Sequence, residues 1–343
     1  AFSLFALGKA YKRGLQETVQ SFAAHYRVIK DKAIQLAKGT GGEENGGSGT
    51  GAGPDGPDSG PARIDPGGTG QAGTGYATRG NYSMKPDYAL LRRQIQDYIS
   101  AKSAVYGIYF KDLISGESFG INQDEPIEAA STVKVPVVLY LNHLASQGKI
   151  DWQEKVAYNS ATDYQEGAGV LQFSARDGDK YSLRVLANLA ITISDNIANR
   201  MLIRYLGKEN LIQFMKEIGG VTVYPEGRNI TTARDMGTYM QAVLDFAEKH
   251  PELGRRLLDD MANPIYHVGL PGEIPDNITV AHKEGDVWGV ANDVGVVYGS
   301  RPYILVVLSK GVNDIDQGFR DIARISRIVY DYQEALAKPE QGP

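Results

Sequence analysis

Hydrophobic and polar positions follow two alternating periods from about residue 81 to residue 340. Residues 87–101 (DYALLRRQIQDYISA) carry apolar side chains at helical spacing, and 104–127 (AVYGIYFKDLISGESFGINQDEPI) read as two strands joined at a turn near Ser115–Gly116. Residues 131–147 predict a helix closed by Gly148. Val133, Val135, Val137, Val138, Leu139 and Leu141 are apolar almost all round, the pattern of a helix buried on every side. Helical stretches occupy about 182–262, and ITVAHKEG, WGVANDVGVVYG and PYILVVLSKG then predict three successive strands before a last helix, DQGFRDIARISRIVYDYQEAL. Strands at both ends with helices between them predict one sheet built from both ends of the domain. The expected class is α+β with a separate helical lobe.

The first 80 residues differ. Leu15, Val19, Phe22, Tyr26, Ile29, Ala33 and Leu36 stand at heptad spacing in a basic segment, 1–38, with Lys9, Lys12, Arg13, Arg27, Lys30, Lys32 and Lys38 against Glu17 and Asp31. One amphipathic helix on the domain or a membrane surface is the expectation, and self-association through residues 11–36 is the alternative. The opening AFSLFALGKAYKRG reads either as the trailing end of a removed anchor or as the start of that helix. Residues 39–80 are rich in Gly, Pro and Ser, too poor in apolar side chains to offset ordering entropy, and predict a flexible linker. A globular domain over 81–340 follows.

Composition narrows the chemistry. The 343 residues, 42% hydrophobic with net charge −5, suffice for a sizeable core, and the mild acidity offers nucleic acid no footprint. Cysteine is absent, which excludes disulfides and thiolate chemistry. His25, His143, His250, His267 and His282 show no ligand spacing, so neither a metal nor another cofactor is expected.

The buried helix carries Lys134, and a lone buried ammonium costs several kcal/mol or more. Ser131 lies three positions before it, so the two side chains share a helix face. A serine hydroxyl needs a base to become nucleophilic, and a lysine serves when desolvation or a second cation keeps its amine neutral. Two further motifs accompany the pair: Ser194-Asp195-Asn196 between apolar stretches, and Lys283-Glu284-Gly285 on a strand. SxxK, SDN and KxG in that order resemble the class A β-lactamases and the penicillin-binding D-Ala-D-Ala peptidases. The likeness runs over about residues 83–338, and DYQEGAGVLQ (163–172) resembles a cleft-rim segment of the peptidase-like branch.

The resemblance implies the β-lactamase/transpeptidase-like fold, an antiparallel sheet with flanking helices and a helical lobe, in an extracytoplasmic bacterial protein of the cell envelope. It implies that Ser131 is acylated, with Lys134 as its base or proton relay. Ser194 would pass a proton to the leaving nitrogen, Asn196 would hold the substrate amide, and Lys283 would supply a cation near Ser194 and toward a substrate carboxylate. The N–H groups of Ser131 and Asp286 would form the oxyanion hole, and Gly285 would line the substrate site. Asp195 is expected to bond backbone across the helix junction.

Two departures bear on substrate. The loop within 219–240 (GGVTVYPEGRNITTARDMGTYM) lacks the ExxLN glutamate that activates deacylating water in class A enzymes; Glu226 is its one glutamate, expected in solvent, and Glu166 lies in the wrong segment. Glu284 replaces the family's Ser or Thr. It would repel a carboxylate, unless it points elsewhere or pairs with Lys283. His282 is expected on the opposite sheet face, packed on a helix. The function expected is a serine acyl-hydrolase acting on amides or esters such as D-Ala-D-Ala peptides or β-lactams, slow in β-lactam deacylation. A true β-lactamase with another deacylating group and a non-hydrolytic penicillin-binding sensor are the alternatives.

Overall fold

The computed structural model describes residues 86–337. The expected basic helix (1–38) and linker (39–80) lie outside the described residues. Helix α1 (Ala89–Ser100) leads into strands β1 (Val105–Asp112) and β2 (Ser118–Ile121), joined through Gly116 at φ +77°, where the sequence placed the turn. After β3 (Ile127–Glu128) come a 3-10 turn (Ala130–Val133) and α2 (Lys134–Ser146), followed by Gly148 in the left-handed region. The lobe then contains β4 (Lys155–Ala157), α3 (Ser160–Asp163), α4 (Leu171–Ser174), β5 (Lys180–Ser182), α5 (Leu183–Thr192), α6 (Asn196–Leu206), α7 (Lys208–Glu217), β6 (Ile230–Thr231), α8 (Ala233–Lys249) and α9 (Pro251–Ala262). Strands β7 (Val280–Val287), β8 (Val290–Val297) and β9 (Tyr303–Lys310) and helix α10 (Ile315–Ala337) close the domain.

The main sheet has the order β2-β1-β9-β8-β7, antiparallel throughout, so the two chain ends pair through β1 and β9. Its central strands are apolar at nearly every position because both faces are covered, each by alternate side chains. Leu305 and Val307 join Leu91 and Ile95 of α1 and Ile322, Ile325 and Val329 of α10 on one side. Ile304, Val306 and Leu308 join the helical lobe on the other. Helix α2 runs through that lobe against α5, α6, α7, α8 and α9, which accounts for its all-round apolar sequence. Pro136 sits in its first turn, where a missing N–H costs no helical hydrogen bond. The β7 edge faces the start of α2, and the cleft lies between them.

Candidate active site

The 3-10 turn determines how the first motif is presented. Three residues per turn eclipse positions i and i+3, so Ser131 stands directly over Lys134. Lys134 Nζ lies 2.8 Å from Ser131 Oγ. The same nitrogen lies 2.7 Å from the Ser194 carbonyl oxygen, 3.0 Å from Ser194 Oγ and 2.8 Å from Asn196 Oδ1. The lysine is 2% exposed. Burial, and next the charge of Lys283, hold its amine well below the ordinary lysine range, against the pull of Asp195 and Asp286. A neutral amine has a lone pair to receive the Ser131 proton. SxxK and SDN therefore converge on one nitrogen.

Strained backbone presents both serines. Ala130 (φ +48°) and Ser194 (φ +57°) occupy the left-handed region without being glycine, at a cost of order 1–3 kcal/mol each. Neighbouring groups hold them there. Asn229 Nδ2 donates to the Ala130 carbonyl at 3.0 Å, and the Ala129 N–H donates to the Asn229 carbonyl at 2.8 Å. Asp195 caps α6 by accepting from the Ala198 N–H at 2.9 Å, and its other oxygen takes the Val170 and Leu171 N–H groups. Asn196 donates to the Glu166 carbonyl at 3.0 Å, so segment 163–172 rests on the SDN turn as a cleft wall.

Gly285 is where β7 meets the nucleophile turn. A Cβ there would stand 2.6 Å from the Ser131 nitrogen and 2.8 Å from that of Thr132. Only a residue without a side chain allows the strand so close. The register pairs Gly285 with Asn292 across β7 and β8, so both address the same face. Asn292 uses the space: it is fully buried, donates to the Glu128 carbonyl at 2.8 Å and accepts from the Ser309 N–H at 3.0 Å. It ties the chain just before Ser131 to the sheet. No motif pointed to Asn229 or Asn292; their roles come from strand register and loop packing.

Lys283 is fully enclosed at the β7 edge, and its Nζ donates to the Glu284 carbonyl at 2.6 Å rather than to Ser194. Burial lowers its pKa to about 8, opposed by Glu284, Asp293 and Asp286. Glu284 does not occupy the cleft. Its Oε1 accepts from the Val268 and Gly269 N–H groups at 2.8 Å each, on the side of the strand away from Lys283. Turned to the 266–270 loop, the Glu284 carboxylate does not stand against an anionic substrate in the cleft, contrary to the expectation from sequence.

Asp293, directly opposite Glu284 in the register, accepts from the Leu270 N–H at 2.6 Å and lies 2.9 Å from His282 Nδ1. His282 is thus held by a carboxylate, with His267 at 3.4 Å from its other nitrogen. Burial, then Asp293, pushes the Glu284 carboxyl up. These side chains pin the loop 266–270 to the sheet. Glu226 points to solvent and pairs with Arg228 at 3.1 Å.

The family comparisons agree with this geometry. The model of the beta-lactamase enzyme family matches residues 90–333. The beta-lactamase AST-1 of Nocardia asteroides is 26% identical over 253 residues, covering 68% of this chain and 80% of the relative. The beta-lactamase of Streptomyces albus G is 26% identical over 294 residues, covering 79% and 90%. Among solved structures, a mutant of PBP-A described as an acyl-enzyme complex with penicillin-G superposes with a TM-score of 0.69 at 31% identity, over 74% of this chain and all of that one. PBP-A itself gives 0.68 at 32% identity, over 72% and 97%. With SxxK and SDN gathered on one buried amine and KxG closing the cleft beside them, the chain belongs to the beta-lactamase enzyme family of serine hydrolases.

Proposed function

We propose that the protein opens amide or ester acyl donors such as D-Ala-D-Ala peptides or β-lactams through an acyl-enzyme on Ser131, and that it deacylates β-lactams slowly. The observation that carries this is the 2.8 Å approach of a desolvated Lys134 amine to Ser131 Oγ. Lys134 takes the hydroxyl proton as Oγ bonds to the substrate carbonyl carbon. The N–H groups of Ser131 and Asp286 receive the developing oxyanion, and Ser194 relays the proton to the leaving nitrogen of an amide or the leaving oxygen of an ester. Asn196 and the 163–172 wall hold the acyl chain. The PBP-A complex with penicillin-G supports acylation by such a ring.

Slow deacylation rests on the loop at 218–232. Its single carboxylate, Glu226, is turned to solvent, so the loop brings no general base to the ester. Incubation with a fluorescent penicillin, followed by intact-mass analysis, is expected to show one adduct on the Ser131 peptide that outlasts excess penicillin. Release of a chromogenic cephalosporin should stop near one equivalent. Continued turnover would establish a true β-lactamase, and absence of any adduct would remove the acyl-enzyme reading.

The charge on Lys283 gives a second test. Acylation by a carboxylate-bearing penicillin is expected to fall about tenfold per pH unit above about 8, where Lys283 loses its proton. A neutral aryl ester should lack that alkaline limb. Identical profiles for the two would mean that Lys283 does not meet the carboxylate. The same substrates imply an extracytoplasmic setting, in which residues 1–38 and 39–80 would serve as a basic, membrane-proximal helix and a tether.

A further inference from the structure

Among the described residues, one group of His, Asp and Glu side chains is gathered closely enough to ligate an ion, and the mechanism above does not use it. His282 and Glu284 alternate with Lys283 along β7, so they share the sheet face turned away from that lysine. Asp293 of β8 is directly opposite Glu284 and joins them on this face. All three are buried, and one nitrogen or carboxylate oxygen of each lies within 4.8 Å of those of the other two. Residue spacing shows nothing of the group because its members come from two strands, with His267 added by the loop before β7.

The two carboxylates are only half used by the loop they hold. Val268 and Gly269 both donate to Oε1 of Glu284, and Oε2 takes no hydrogen bond from the described residues, although Glu284 is 7% exposed. Asp293 gives Oδ2 to the Leu270 N–H, and its Oδ1 meets the His282 ring alone. Apart from His282, no basic nitrogen among the described residues is bonded to either acid, since Lys283 Nζ is turned to a backbone carbonyl. Two buried carboxylates side by side are costly until a cation offsets them.

The imidazole is placed to complete a ligand set. His282 Nδ1 stands almost equally far from the two Asp293 oxygens, at 3.0 and 2.9 Å, rather than aimed at one of them. Its Nε2 faces His267 Nδ1 at 3.4 Å. A proton on Nε2, donated to His267, leaves the Nδ1 lone pair directed at the acids. Donors bound to one tetrahedral ion at about 2.0–2.1 Å stand about 3.3 Å apart, close to the His282–Asp293 separation. Swinging Oε2 of Glu284 inward, with Oε1 kept on the loop, closes the remaining distance.

We propose that His282 Nδ1, Asp293 Oδ1 and Glu284 Oε2 bind a divalent transition-metal ion of the zinc type, with His267 as a positioning residue for the His282 ring. One imidazole and two carboxylates suit zinc, whereas calcium and magnesium take about six or more oxygens. The ion would bridge β7 to β8 on the face opposite Lys283, and its carboxylate ligands would carry the loop 266–270 with them. The site is structural and does not depend on the acyl-enzyme reading.

The test uses the full chain, stripped with EDTA and exchanged into chelator-free buffer. It is titrated with zinc chloride by calorimetry and, separately, with cobalt chloride followed by visible absorption. One equivalent is expected to bind, with the strong visible bands of four-coordinate cobalt, and Tm should rise as zinc is added. Glu284→Gln keeps an oxygen for the Val268 and Gly269 N–H groups but removes the anionic ligand. It should weaken zinc binding about 100-fold or more, because even the hydrogen-bond partners of a ligand are worth about 10–100-fold. His267→Ala, at an exposed position, should weaken it about tenfold or more and leave the fold intact. Absence of stoichiometric binding overturns the site. Zinc binding that either folded variant retains at wild-type affinity overturns it as well, by assigning the ion to other histidines of the chain. Should Glu284→Gln fail to fold, the wild-type titration and His267→Ala still decide.

Discussion

Ser131→Ala is expected to abolish covalent labelling by penicillins and fluorophosphonates and to reduce any ester turnover on the order of 10⁴-fold or more. The hydroxyl is the only group above Lys134 that can bond to a carbonyl carbon from the turn. Ser194 is 4% exposed, and its oxygen is directed at the same amine from the other side. The fold should survive. Lys134 keeps the Ser194 carbonyl and Asn196 as partners, and the 3-10 turn is fixed by Ala129, Asn229 and Asn292 rather than by the hydroxyl. The net cost of one such hydrogen bond is about 1 kcal/mol, a shift of about 2–4 °C in Tm for a domain of this size. Mass spectrometry of the labelled protein and a thermal melt decide the matter together. Persistent labelling in the variant would place the nucleophile elsewhere.

Gly285→Ala should bring the next largest loss, while leaving the nucleophile in place. The new Cβ would stand 2.6 Å from the Ser131 nitrogen, well inside van der Waals contact, and the atoms it meets are backbone. Either β7 or the turn must retreat. Asn292 holds the turn against the sheet, so the strand edge gives way, and in the mechanism proposed above the Asp286 N–H then moves off the oxyanion position. Misplacement of one oxyanion donor costs about 10²–10³-fold in rate. Acylation of Ser131 is therefore expected to slow by about 10²-fold or more, with Lys134 still in contact with Ser131. Pre-steady-state acylation by an aryl ester measures it. A rate within a few-fold of wild type would mean that the strand carries no donor to the carbonyl.

The parts of the molecule that were legible in the sequence are those governed by local geometry. The i, i+3 spacing of Ser131 and Lys134 specifies contact whatever the fold, and the all-round apolar α2 could only lie inside a lobe. Strands β7 to β9 and the β1–β2 turn announced themselves by period and by Gly116. Strands β4 and β5, with three residues each, are too short to show a period. Glu284 was legible as an anomaly, but not in its solution. Whether its carboxylate meets the cleft or the 266–270 loop depends on a loop whose path is fixed only in three dimensions. Asn292 escaped for the same reason. Its neighbours are set by cross-strand register, which does not appear in residue spacing.

The pinned loop also bears on how the molecule breathes. Val268, Gly269 and Leu270 give consecutive backbone N–H groups to Glu284 and Asp293, carboxylates set directly opposite each other in the sheet. The loop cannot lift without leaving two adjacent buried acids short of their donors, a penalty of about 1–3 kcal/mol for each lost partner. By its exposure this rim belongs with the mobile surface, yet its opening is tied to the fraying of β7 and β8. Rim and sheet edge thus form one cooperative unit of local unfolding, and a segment made of loop has the persistence of a strand.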